Sequence, residues 1–582
     1  MLKQWLLRCC RDRTENIIFL LTHLTFTSFF TSFTACYEMA IEDDDLRVLS
    51  RTSGSVKICS QFFNEKHSDP DSISLLGPCL RAMALFIKGD RVSRKALLDS
   101  GTLANVRTLM FTSDMRLSTL RGAAAYSRLR ILTGAMNIFL ECSFDAKIQP
   151  SVGSIGDDFI QALAMVVEDS GSFAAAGSEM HDHVVELLAF YRSVSLFIKQ
   201  IMFSSDKSKL SDKSGLIVPA LAIALTGVSG SFAEVIAAEA ARLHMDGNVV
   251  VFSAIESMLE ALLGCSQVEI LRPAFSLPLF EEGQCAALCL LEMSGNSKYL
   301  SFTRPLCYGL LMNLCISTNS SNEVIKTRLV EAGAMKHAIG VISLGVCMKE
   351  DARKELEVND HVNNSKVSGT ELSRATGLLS RLCTVASVAQ EVYKASTFRL
   401  LCKATARAVG IFAEPSSPVD IATISKQYEE RPWVVEEKMN LMRILSTNSG
   451  SLSAECKKIA SEEKLVLAVL YLFPCPPMQG GQVTPQSVII PPPKPAPTLL
   501  LGNAARCLMP YAELEEYAAI LYSQSQALGI ERLVNAMATC SDIRVRKNIA
   551  ILLAKGCKVP GARERLTHFR GMEMIIELQS KF

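Results

Sequence analysis

The sequence is short of three things. Aromatic residues make up 7% of 582 residues, with two Trp; charged residues make up 20%; and neither sign is in excess, with Lys+Arg 60 against Asp+Glu 59 and a net charge of +1. A neutral chain lacks the basic field that displaces phosphate counterions, so no nucleic-acid partner is expected. Catalytic signatures are missing as well. There is no GxxxxGK[ST] phosphate loop, no GxSxG elbow, no HExxH and no GxGxxG after a strand. Pocket chemistry usually leaves such a constellation, so a non-enzyme without cofactor or metal is expected. Nor do alternating strands joined by Asn-Gly or Asp-Gly hairpins occur, which removes the ordinary β architectures.

The chain does have apolar mass, at 49% of residues with a mean hydropathy of +0.23. It is carried by Leu, Ala, Ile, Val and Met, a mixture that favours helix over strand. Length alone would allow about four domains of ~150 residues. Nineteen Cys are scattered, mostly inside apolar runs. They read as reduced, buried thiols in a cytoplasmic protein. Cys285 and Cys289 lie four apart within the apolar QCAALCLLEM, so core thiols are favoured over half of a metal site. His181 and His183 flank Asp182 in a polar break and read as surface residues.

One segment competes with a plain cytoplasmic reading. Asn16–Tyr37 carries no Asp, Glu, Lys or Arg and follows Lys3, Arg8, Arg11 and Arg13, as a signal anchor would. Yet eight of the 21 residues from Ile17 to Tyr37 are Thr, Ser or His, and Thr27, Thr31 and Thr34 share a face. A lipid-facing helix gains nothing from hydroxyls, so a docked amphipathic helix or an N-terminal extension is preferred to membrane contact.

From Leu75 onward, apolar helical stretches alternate with short polar breaks, and an all-α chain is expected. The larger breaks are Ser204–Ser214, Lys349–Gly369 and Pro474–Pro497. The last holds nine of the 21 Pro and cannot continue a helix. Its Pro492-Pro493-Lys494-Pro495 has PxxP spacing, but an inserted loop is preferred to a ligand for an SH3-type groove. Five tracts share one layout: LLMNLC (310–315), LLSRLC (378–383), NLMRIL (440–445), NAARCL (503–508) and LLAKGC (552–557). Each has a polar residue fourth: Asn313, Arg381, Arg443, Arg506 and Lys555. GAMNIF (134–139), with Asn137, has the same look. Each later tract leads to a turn before another apolar helix, as at Gly333, Lys394-Ala395-Ser396, Ser461-Glu462-Glu463, Leu528-Gly529 and Arg570-Gly571; Asp99-Ser100-Gly101 fits the same role. Glycine is expected to supply the left-handed residue there.

Tract starts are 68, 62, 63 and 49 residues apart, and removing the inserted breaks brings them toward a period of ~40–47. One such unit cannot bury its own apolar face, but a stack can. The expected fold is therefore an armadillo/HEAT-like α-solenoid. The expected order is an extension over 1–70, repeats over 71–345, a polar loop over 346–370, repeats over 371–473, the Pro-rich loop over 474–497 and closing repeats over 498–582. In register, the five fourth-position residues would form a ladder along one face, suited to an acidic or extended partner segment because Arg binds carboxylates bidentately.

The unit resembles the armadillo repeat, with LLMNLC as a third helix and Asn313 where armadillo nuclear-import adaptors and catenins often carry a ladder Asn. The importin-type groove also uses Trp four residues earlier. Here those positions are Gly309, Gly377, Met439, Gly502 and Ile551, so nuclear-signal binding is not carried over. Segments 375–396, 437–459, 499–521 and 545–578 resemble the armadillo region of the tetratricopeptide repeat protein twelve family. In the last of these an Asn-led helix is followed by a Lys-x-Cys-x-x-x-Pro break and a Gly-Met-Glu turn. That resemblance implies a cytoplasmic, cilium-associated scaffold for assembling axonemal dynein arms, with dynein subunits or chaperones as protein partners. No 34-residue tetratricopeptide pairs are present, so direct chaperone docking is not implied. The UCS-type myosin co-chaperones are the neighbouring reading, and a membrane-tethered adaptor anchored through Asn16–Tyr37 is the reading from another class.

Overall fold

The computed structural model describes residues 54–112, 115–145, 157–175, 183–203, 210–229, 247–279, 283–295, 303–316, 320–347, 367–410, 432–447, 452–478, 482–492, 496–522 and 527–580. These are α-helical apart from turns, short 3-10 segments and one isolated bridge, Pro278 with Cys285. The segment Asn16–Tyr37 and His181 lie outside the described residues. The chain divides into two compact units, Met1–Leu290 and Leu291–Phe582.

In the first unit, four long helices are successive neighbours: α1 (Ile73–Ile87), α2 (Gly122–Ser143), α3 (Val184–Phe203) and α4 (Gly247–Gln267). The helix Ser55–Lys66 packs on α1, so the folded unit begins before residue 71. Helices α1 and α2 cross closely. A Cβ on Gly77 would stand 2.7 Å from Arg130 Cβ, and one on Gly134 would stand 2.7 Å from Leu80 Cβ. Pro70–Ile87 is the one described stretch long and apolar enough to cross a membrane as a single helix, and 67% of it is buried inside the unit. Its apolarity is therefore that of a core helix.

In the second unit the five tracts fall on five helices that stack in sequence: α5 (Thr303–Leu314), α6 (Gly369–Leu382), α7 (Pro432–Ser446), α8 (Thr498–Leu508) and α9 (Ile543–Gly556). Two further helices separate each pair, for example Ala386–Val392 and Ala395–Val409 between α6 and α7. The repeat is therefore three helices, and its third members form the spine of an α-solenoid. Lys349–Gly369, residues 411–431 and Pro474–Pro497 all fall between the second and third helix of their repeats. Insertions at that corner leave the spine contacts intact, which is why three repeats are longer than the last.

Local chemistry sets the helix ends. The Ser368 hydroxyl accepts from the Glu371 amide at the start of α6, and Pro432 opens α7 where its missing N–H costs nothing. The turn before the second helix is left-handed at Gly101, Gly333, Lys464, Leu528 and Arg570 (φ 70°, 89°, 53°, 51° and 60°). The expectation of glycine holds only for the first two. At Leu528-Gly529 and Arg570-Gly571 the strained residue precedes the glycine, and the glycine is needed for space. A Cβ on Gly529 would lie 2.3 Å from Leu521 O, and one on Gly571 would lie 2.9 Å from Leu566 Cδ2. Lys394 is extended instead. One further expectation changes. His183 is buried, its ring against Tyr126 and Phe173, because the chain turns inward as α3 begins. Ser214, in the break Ser204–Ser214, is buried in a 3-10 turn. The thiol reading holds for most described Cys, with Cys285 and Cys289 both buried.

Candidate protein-interaction face

The stack of α5 to α9 places the fourth-position residues on five adjacent helices. Arg381, Arg443, Arg506 and Lys555 each sit in the last turn of their helix, and Asn313 holds the same place in α5. A cation there is favoured by the helix dipole, by about 0.3–1 kcal/mol, which accounts for part of the pattern. Arg506 is exposed and the other four are half-buried.

Arg381 and Arg443 lie close enough to feel each other. Burial, and then the neighbouring Arg443, hold the Arg381 guanidinium below its ordinary value. Among the described residues neither guanidinium has a hydrogen bond or a carboxylate partner. The nearby Cys315 and Cys383 thiols are pushed by burial up to about 12, against the pull of Lys326 and then Arg381 on the first and of Arg443 on the second. Burial thus favours the protonated, unreactive form of both thiols. No cluster of metal-binding side chains occurs among the described residues. At the far end of the stack, Lys555 acts with Lys558 on Glu513. The Lys558 hydrogen bond at 3.1 Å and then both charges hold that carboxyl low. Lys555 is therefore partly neutralised, whereas Arg381 and Arg443 face each other.

Other polar residues of the tracts are used in packing. Asn137 in α2 accepts from the Ser193 hydroxyl of α3 at 2.8 Å. Asn440, the first residue of its tract, donates to Ser373 O of α6 at 3.1 Å. Tract spacing gave no sign that the first rather than the fourth position would do this. Three of the five positions four before the ladder are also explained. A Cβ on Gly309 would stand 3.2 Å from Arg374 Nη1, one on Gly377 2.4 Å from Met312 Sδ, and one on Gly502 3.2 Å from Val545 Cγ2. The neighbouring third helix fills these places, so a Trp would not fit there. Arg374 itself donates to Pro305 O at 2.9 Å, tying α6 to α5.

No family model and no curated protein matches the chain. Among solved structures, one of an engineered protein is 15% identical over 94% of this chain and 98% of that one, with a TM-score of 0.46. A structure from work on a phosphorylation switch between cadherin and beta-catenin is 14% identical, covering 78% and 85%, with a TM-score of 0.32. One of the UNC-45 chaperone, described as binding and folding muscle myosin, is 11% identical, covering 96% and 72%, with a TM-score of 0.19. These scores are too low to argue from, and what those proteins bind is not carried over to this chain. The helix order and packing decide the architecture. The fold is armadillo-like.

Proposed function

We propose that the chain is a non-catalytic protein-interaction scaffold whose third-helix face in the second unit, along Asn313, Arg381, Arg443, Arg506 and Lys555, takes an acidic, extended partner segment. The observation that supports this most is the Arg381–Arg443 pair, two adjacent half-buried guanidiniums that have no carboxylate partner among the described residues. A partner carboxylate placed there relieves their repulsion and gains charge-assisted hydrogen bonds. The finer reading is a cytoplasmic assembly factor for axonemal dynein arms, supported by the sequence resemblance over 375–582.

Affinity purification from a ciliated cell tests this with R381E/R443E/R506E beside the wild type. The expected result is dynein heavy chains or their assembly factors on the wild type, at least tenfold depleted on a variant of unchanged helicity. Equal capture by both removes the ladder. Myosin on both removes the dynein reading and favours the UCS-type one. Membrane proteins, together with carbonate-resistant membrane association that a chain starting at Met39 loses, favour the tethered adaptor.

A further inference from the structure

The joint between α5 and α6 holds a carboxylic acid in an unusual position. Glu371, in the first turn of α6, is wholly buried (0% exposed). Its one charged contact is across the joint, where Arg304 Nε of α5 stands 3.2 Å from Oε1. Arg304 and the Ser368 amide both favour its charged form, but among the described residues neither meets hydrogen-bond geometry with a carboxylate oxygen. The Ser368–Glu371 capping box is uneven: the Ser368 hydroxyl accepts from the Glu371 amide at 3.1 Å, while the return contact from the Ser368 amide to the carboxylate is weak. A buried carboxylate without well-formed hydrogen bonds is costly to keep charged, and one ion contact with a weak amide contact offsets this only in part.

The surrounding groups do not complete the shell. From α5, Tyr308 is the other titratable neighbour; burial pushes its hydroxyl up to about 12, so it stays neutral, and the charge of Glu371 adds to that shift. On α6, Arg374 is taken by Pro305 O and faces Glu436 of α7. Glu436 accepts from the Ser373 hydroxyl at 3.1 Å, while Glu437 and Lys438 of α7 have partners of their own. From the helix Ala334–Cys347, Gly345 meets Leu372, Lys336 is exposed, and the His337 ring lies against Gly295. Burial is the leading influence on Glu371 and outweighs Arg304 and the Ser368 amide, raising its carboxyl to about 7.

We propose that the α5–α6 joint is proton-linked, tightest with Glu371 protonated and looser as pH rises from weakly acidic to slightly alkaline. The folded-state value lies above the ordinary 4.5, so the native joint keeps a proton that the opened chain releases. Stability therefore falls as pH climbs from about 4.5 to about 7 and levels off above. At tenfold per unit, the opening constant rises on the order of fiftyfold between pH 5 and 8.

Hydrogen exchange of the full chain tests this, read on peptides of α5 and α6, corrected for intrinsic rate and referenced to α2. The expected result is protection that falls with pH in the wild type and a flat profile in Glu371→Gln. A flat wild-type profile, or the same slope in Glu371→Gln, overturns the proposal. Arg304→Gln covers the case in which Glu371→Gln does not fold. Losing the Arg304 charge moves the wild-type inflection to higher pH, and an unmoved inflection overturns the proposal equally.

Discussion

The two spines of this protein use their polar residues differently. In α1 to α4, side chains at the helix crossings are committed. Arg128, 3% exposed, donates to Leu109 O at 2.9 Å and Met110 O at 2.7 Å, ending the helix Thr102–Met110. Arg81 pairs with Glu186 at 3.0 Å, and Asn137 is held by Ser193. In α5 to α9 the corresponding cations emerge in last turns and, at Arg381 and Arg443, meet no acid among the described residues. Closely crossed helices with reciprocal glycines have no room for free side chains. Spine helices separated by side-chain contacts, as at Gly309 and Gly502, leave an edge that water and partners reach. The second unit is therefore where recognition chemistry is available.

The largest test of this contrast compares two glycines. Gly134→Val should cost about 3 kcal/mol or prevent folding, because its Cβ meets Leu80 Cβ at 2.7 Å and Arg81 N at 3.1 Å. Gly502→Ala, whose nearest neighbour is the movable Val545 Cγ2 at 3.2 Å, should stay within about 1 kcal/mol of wild type, since the gain in helix propensity offsets mild crowding. Urea unfolding checks both, and equal losses would erase the distinction between the spines. Next, Arg128→Met should lose about 2–3 kcal/mol by stripping two carbonyls of a charged donor, whereas Arg381→Met should change stability by less than about 0.5 kcal/mol and act on partner binding instead. Thermal melts of the two, side by side, read the difference; a large loss in Arg381→Met would make that rung structural. The smallest effect is expected at the left-handed turns. Arg570→Gly should gain about 0.5–1 kcal/mol, because Arg570 is exposed at φ 60° and its pair with Glu573 at 3.0 Å is solvated. A loss in chemical denaturation would show that the turn is not strained.

Much of the second spine was legible in the sequence. The five tracts that share a polar fourth position are the five stacked helices, because apolar residues at i, i+3 and i+4 write a buried face into the local sequence. The turns were legible as places but not as conformations. Leu528 and Arg570 take the left-handed strain because Gly529 and Gly571 are needed against Leu521 O and Leu566, a contact that no dipeptide announces. His183 looked like a surface residue beside Asp182, yet its ring is covered by Tyr126, 57 positions earlier, and by Phe173.

The sequence by itself determined the helical class, the repeated tracts and two of the three breaks within the repeats of the second unit, because these depend on residues within a few positions of each other and on apolar periodicity; the break over 411–431 was not read. Only the tertiary structure decided which polar residues are consumed and which are open. Asn440 reaches Ser373, Glu371 is buried against Arg304, and Arg381 meets Arg443. Each of these pairs joins one repeat to the next across about 60 residues of chain. Local patterning carries no information about what the neighbouring repeat will present there.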